Sequence, residues 1–113
     1  MTTTRQLKVS RLLQKELGEY FQRQGPAITE GKMITVTVVR ISPDLGLAKV
    51  YLSVFPGEKA KEAIQAIADK SGLVRSELGN KLRNQLRHIP EFAFFLDDSL
   101  DYIDRIEDLL KED

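Results

Sequence analysis

The chain has 113 residues, 42% of them apolar and 30% charged, which suits one domain with a single core and leaves little room for two. It contains no cysteine, excluding a disulfide framework, a thiolate metal site and a cysteine nucleophile. The 17 basic and 17 acidic residues cancel, yet residues 1–90 hold 15 Lys/Arg against 8 Asp/Glu, whereas residues 91–113 hold 2 against 9. A basic body favours a polyanionic partner such as nucleic acid, while an acidic end caps positive surface, repels phosphate or only solubilises. No apolar run approaches the ~20 residues of a membrane span. Residues 1–11 are too polar for a signal peptide, so a cytoplasmic protein without membrane contact is expected.

Thr3 with Gln6 fits a capping box, and Val9, Leu13, Leu17, Tyr20 and Phe21 recur at helical spacing until Gly25-Pro26, where the first helix is expected to stop. Residues 28–32 read as a loop. Met33 to Ile41 is dense in β-branched residues and reads as a strand. Ser42-Pro43-Asp44-Leu45-Gly46 has turn chemistry, and Leu47 to Phe55 follows with Ala48, Val50, Leu52 and Val54 on one face, completing a hairpin. After Pro56-Gly57, Ala60, Ala63, Ile64 and Ile67 define a short helix. Ser71-Gly72 interrupts it, and Val74, Leu78, Leu82 and Leu86 carry a second helix to about His88, ahead of Ile89-Pro90. Glu91 to Leu96 reads as a third strand. Leu100, Ile103, Ile106 and Leu110 then share one face of an acidic helix at about residues 99–111. The fold class is α+β: one domain over residues 1–113, in the order α-β-β-α-kink-α-β plus a C-terminal helix.

Enzyme chemistry finds little support. His88 is the single histidine and sits at a basic helix end, where interaction with the helix dipole or with RNA explains it better than a triad. Asp97, Asp98, Asp101, Asp104 and Asp108 lack metal-specific spacing and read as a solvated face. Neither a Walker loop nor a G-x-G-x-x-G run is present. No catalytic residue, cofactor or metal is therefore assigned.

Basic side chains carry the stronger signal. On a wheel at 100° per residue, Lys8, Arg11 and Lys15 lie opposite the apolar stripe of the first helix. Ser76, Asn80, Arg83 and Arg87 form a second ridge, with Lys70 at the kink and Lys81 on the flank. Such ridges are either phosphate-contacting surfaces or only the solvated faces of amphipathic helices. Arg75 falls near the apolar stripe, as a packed stem, a buried ion-pair partner or an RNA contact. A helix-turn-helix reading groove edges is one alternative. A protein-interaction module using the acidic helix is another. The α-β-β-α-α-β order, however, is that of a type II KH domain, which grips single-stranded nucleic acid near a helix–helix junction.

The chain resembles the ribosome-binding factor A family over nearly its whole length. The resemblance rests on Lys8-Val9 with Gln14-Lys15-Glu16-Leu17, on Ser42-Pro43-Asp44-Leu45 with Ala48-Lys49-Val50-Tyr51, and on Ser71-Gly72-Leu73-Val74-Arg75-Ser76 with Leu78-Gly79 and Leu82-Arg83. Pro90-Glu91-Phe92, Phe94, Asp97 and Ser99-Leu100 extend it. The family usually has an Ala-x-Gly kink, where this chain has Lys70-Ser71-Gly72. The resemblance implies a KH-like, non-enzymatic factor; a monomer is the default expectation, with the oligomeric state left open by the sequence. Such a factor binds the immature small ribosomal subunit through its rRNA and promotes late maturation, including processing of the rRNA 5′ end.

Overall fold

The computed structural model describes residues 3–97. Thr3 caps the first helix, α1 (Thr4–Ile28): its hydroxyl accepts the Gln6 N–H at 3.1 Å, and the Gln6 side-chain oxygen accepts the Thr3 N–H at 2.8 Å. The capping box satisfies two of the donors that every helix start leaves orphaned. Gln6 also donates its amide N–H to the Ile41 carbonyl at 2.9 Å, tying the start of the helix to a distant strand end. Val9, Leu13, Leu17, Tyr20 and Phe21 form the buried stripe.

The helix runs past the expected stop at Gly25-Pro26. Gly25 is present because α1 passes close over the sheet: a Cβ there would lie 3.0 Å from Ile34 Cγ1. Pro26 costs one N–H in an exposed last turn, where water can satisfy the freed carbonyl. Thr29 closes the end, its N–H and hydroxyl both bonding the Gly25 carbonyl at 2.9 and 2.6 Å.

Strands β1 (Met33–Ile41) and β2 (Leu47–Phe55) form the expected antiparallel hairpin. The pairing shifts register between Val36 and Val38, so Thr37 is an extra residue. Ile34 and Val36 before it and Val39 and Ile41 after it all reach the core despite the odd spacing. Helices α2 (Ala60–Asp69) and α3 (Ser71–Leu82) follow, and β3 (Glu91–Leu96) adds parallel to β2, giving the sheet order β1-β2-β3. The helices share one core with the inward residues of all three strands, burying Ile67, Val74, Leu78 and Leu82 from the helix pair. The expected C-terminal helix lies outside the described residues.

Helix α3 ends at Leu82, well before the expected end near His88. The Leu82 carbonyl accepts both the Gln85 and Leu86 N–H groups at 2.8 Å, a tightened last turn. The chain must then double back so that Ile89 and Pro90 enter the core and the Glu91 N–H reaches the Gly46 carbonyl at 2.9 Å. Periodicity alone does not register that return.

Two features give direct tests. Lys59, which precedes α2, holds φ at +56° and makes no side-chain capping bond. The left-handed region costs a side chain roughly 1–2 kcal/mol, and glycine is also accepted at an N-cap. Lys59→Gly is therefore expected to stabilise the chain by about 0.5 kcal/mol after the added unfolded-state entropy, read as a raised urea midpoint. Tyr20 in α1 faces Glu77 in α3; burial first, then hydrogen bonding to Glu77 and its negative charge, push the phenol pKa up to about 12. The folded chain favours the protonated phenol, so this contribution is complete below about pH 10 and is lost as pH rises through about 12. An ultraviolet alkaline titration should show a late-ionising tyrosine that is missing in Tyr20→Phe.

Candidate nucleic-acid interface

The early end of α3 decides where the positive charge goes. Segment 83–90 leaves the helix axis and crosses towards the first half of α1. There Arg5 and Lys8 from α1 and Arg87 and His88 from the segment line one cavity of about 650 Å³. Its apolar lining comes from Val9, Leu12, Leu45, Leu86 and Pro90. All four cationic or titratable side chains are exposed. The result is an open cleft with an apolar floor and cationic walls, able to take a phosphate-bearing strand and to exclude water from part of it.

Arg75 holds this arrangement. Its Nε and Nη2 both donate to the Ile89 carbonyl, at 3.0 and 2.8 Å. The guanidinium fork therefore clamps the backbone next to Arg87 and His88, and a half-buried stem replaces the ion pair that the sequence left open. On the opposite rim, Asp44 accepts the Ser42 hydroxyl at 2.6 Å and the Gly46 N–H at 2.9 Å. Those two bonds lower its carboxyl pKa. Asp44 thus works inside the hairpin turn, where Leu45 holds φ at +61°.

The other residues singled out from sequence are distributed as follows. Arg11 is exposed on α1, one turn beyond Lys8, and Lys15 lines a separate groove between α1 and β1 together with Gln14, Met33 and Thr35. Ser76 and Asn80 lie on the outer side of α3, and Arg83 is exposed just past its end. Arg87 lies in segment 83–90 instead of continuing the helical ridge. Lys81 turns to α1, with Nζ 2.9 Å from Glu16 Oε2 and 3.7 Å from Glu19 Oε2. Glu16 is buried, and that oxygen has no hydrogen-bond partner of good geometry, so the Lys81 charge compensates it.

Lys70 is the junction itself: with φ −104° and ψ 14° it separates α2 from α3, its N–H bonding the Ile67 carbonyl at 3.0 Å and its carbonyl accepting the Val74 N–H at 3.0 Å. Ser71 begins α3, and Gly72 is exposed with nothing within 4 Å of an added Cβ, so no close contact demands glycine there. Sequence reasoning had not assigned Arg5 to the interface. Its signal was present in the excess of positive charge before Arg11.

Among the described residues, no helix is long and apolar enough to cross a membrane, and no cluster of potential metal ligands forms. Comparison with known proteins converges. The family model of ribosome-binding factor A matches residues 5–110. The ribosome-binding factor A of Flavobacterium johnsoniae is 42% identical, over 97% of this chain and 85% of the relative. That of Brevibacillus brevis is 40% identical, over 99% of this chain and 91% of the relative. The crystal structure of ribosome-binding factor A from Thermus thermophilus superposes with a TM-score of 0.67 at 21% identity, covering 80% of this chain and 94% of the other. A Thermus thermophilus ribosome-binding factor A model, fitted into a cryo-EM map of a 30S complex, gives 0.62 at 24% identity, covering 76% and 88%. The matched residues span both walls of the cleft as well as the core beneath it, and the chain belongs to the ribosome-binding factor A family.

Proposed function

We propose that this protein binds the small ribosomal subunit during its assembly, with the Arg5/Lys8/Arg87/His88 cleft seated on rRNA phosphates. The observation that carries this reading is the meeting of cations from two segments far apart in sequence around one cavity. The Thermus thermophilus relative, fitted into a map of a 30S complex, supports the choice of partner. Arg11, Lys15, Lys70, Ser76, Asn80 and Arg83 extend the contact beyond the cleft as peripheral phosphate or backbone partners.

The protein acts by binding and performs no covalent step. An rRNA conformation that fits the cleft is favoured over one that does not by the difference in binding free energy, so assembly is biased toward the fitted fold. Late maturation, and 5′-end trimming by a separate nuclease, follow from that bias. A monomer working in the cytoplasm alongside ribosomes completes the reading.

Co-sedimentation tests it. The purified chain is expected to travel with small subunits, more with precursor than with mature particles, and to be released steeply as salt rises. Equal binding to large subunits, or a preference for duplex DNA, overturns the assignment.

A further inference from the structure

The hairpin turn Ser42-Pro43-Asp44-Leu45-Gly46 brings to the cationic cleft two features that closing a turn does not require. The first is a carboxylate. Asp44 is the one acidic side chain lining the cleft among the described residues, in the company of Arg5, Lys8, Arg87 and His88. A carboxylate beside the path of a phosphodiester strand opposes binding unless some group of the ligand donates to it. The turn uses only one of its oxygens: the Ser42 hydroxyl and the Gly46 N–H both end on Oδ1. An ionised carboxylate offers about four acceptor sites, shared between two oxygens. Among the described residues, Oδ2 accepts no hydrogen bond.

The second feature is Leu45, held at φ +61°. A leucine there incurs a steric penalty that glycine would not. What leucine supplies instead is apolar area: Leu45 packs half-buried on the core and lines the cleft together with Leu12, Leu86 and Pro90. The cleft, of about 650 Å³, has the size of a small-ligand site, roughly 300–1,000 Å³, so a nucleobase fits. The turn thus sets an apolar flank and a free acceptor side by side, which is the pairing that recognition of an unstacked base uses. The Watson–Crick edges decide which base. Adenine and cytosine each offer an amino donor next to a ring-nitrogen acceptor, and uracil offers an imino donor between two carbonyls, so all three turn an acceptor toward the carboxylate. Guanine presents two adjacent donors, N1–H and the 2-amino group, which converge on a single oxygen.

We infer that the cleft holds one unpaired guanine of a single-stranded RNA segment. Its ring lies against Leu12, Leu45 and Leu86, its N1–H and 2-amino group donate to Asp44 Oδ2, and the flanking phosphates lie on Lys8 and Arg87. This inference rests on the phosphate reading of the same cleft and adds base selectivity to it. A guanine paired in a duplex has that edge occupied, so the site selects RNA whose local fold leaves the base free.

Fluorescence anisotropy of the full chain with short labelled oligouridylates, alike except for one central base, tests it. The oligomer carrying guanosine is expected to bind roughly tenfold more tightly than the one carrying adenosine. Inosine keeps N1–H and lacks the 2-amino group, so its oligomer should fall between them. Asp44→Asn retains Oδ1 for the Ser42 and Gly46 bonds and puts a donor in place of Oδ2, so the guanosine advantage should vanish; the amide shifts of Ser42 and Gly46 report that the turn is kept. A guanosine advantage that survives Asp44→Asn overturns the inference. Equal, salt-sensitive binding of all the oligomers to the unmodified chain leaves the phosphate reading standing and overturns the guanine pocket alone. Binding by none of them removes the cleft as a phosphate site, and the pocket with it. Displacement of the guanosine oligomer by an equal concentration of guanosine monophosphate would assign the pocket to a free nucleotide and likewise overturn the inference.

Discussion

Lys8→Glu combined with Arg87→Glu is expected to weaken small-subunit binding on the order of a hundredfold at moderate salt and to reduce the slope of log affinity against log salt by about 2. The two residues sit on opposite walls of one cleft. Reversing them removes two phosphate partners and adds repulsion, yet both are exposed and neither belongs to the core, so stability should barely change. Lys81→Met is the informative contrast. Lys81 faces the buried Glu16 carboxylate, so its loss should lower stability by about 1–2 kcal/mol while leaving the salt slope near its original value. Sedimentation across a salt series, with urea unfolding of each variant, separates the two effects. A Lys8/Arg87 variant with an unaltered slope would remove the cleft from the interface.

The largest effect on stability is expected from Phe21→Ala. Phe21 is fully buried and lies edge-on between Tyr20 and Phe94, with centroid distances of 5.3 and 5.8 Å and interplanar angles of 87° and 85°. It joins α1 to the strand that enters the sheet last in sequence. Truncating such a ring costs roughly 3–5 kcal/mol through lost transfer free energy and residual cavity, against a total of about 5–15 kcal/mol for a domain. Urea denaturation should show most of the stability gone, and a loss under about 1.5 kcal/mol would mean that the surrounding side chains collapse into the space.

The strands were legible because β-branched runs and turn residues act locally: Met33–Ile41, Leu47–Phe55 and Glu91–Leu96 appear with the expected bounds. The helix ends were not legible, because tertiary contacts set them. Gly25 reads as a breaker in sequence, yet it answers to Ile34 across the layer. Leu86 continues the apolar period of α3, yet the backbone has already turned to bring Ile89 and Pro90 inward. The candidate site shares that division. Lys8 and Arg87 were recognisable as cations on helical faces, but their meeting depends on the return of segment 83–90, and the Arg75 clamp on the Ile89 carbonyl has no sequence pattern at all.

The parallel pairing of β2 with β3 sets an order of events on the chain. Helix α1 and the hairpin are contiguous, whereas β3 can pair with β2 only once the intervening residues 56–90 have been synthesised. The cleft is assembled at that same closure, where the Glu91 N–H meets the Gly46 carbonyl and Pro90 comes to lie beside Leu45. A chain in which β3 has not yet paired therefore presents Lys8 and Arg87 without their shared pocket, the pocket on which the proposed RNA contact depends.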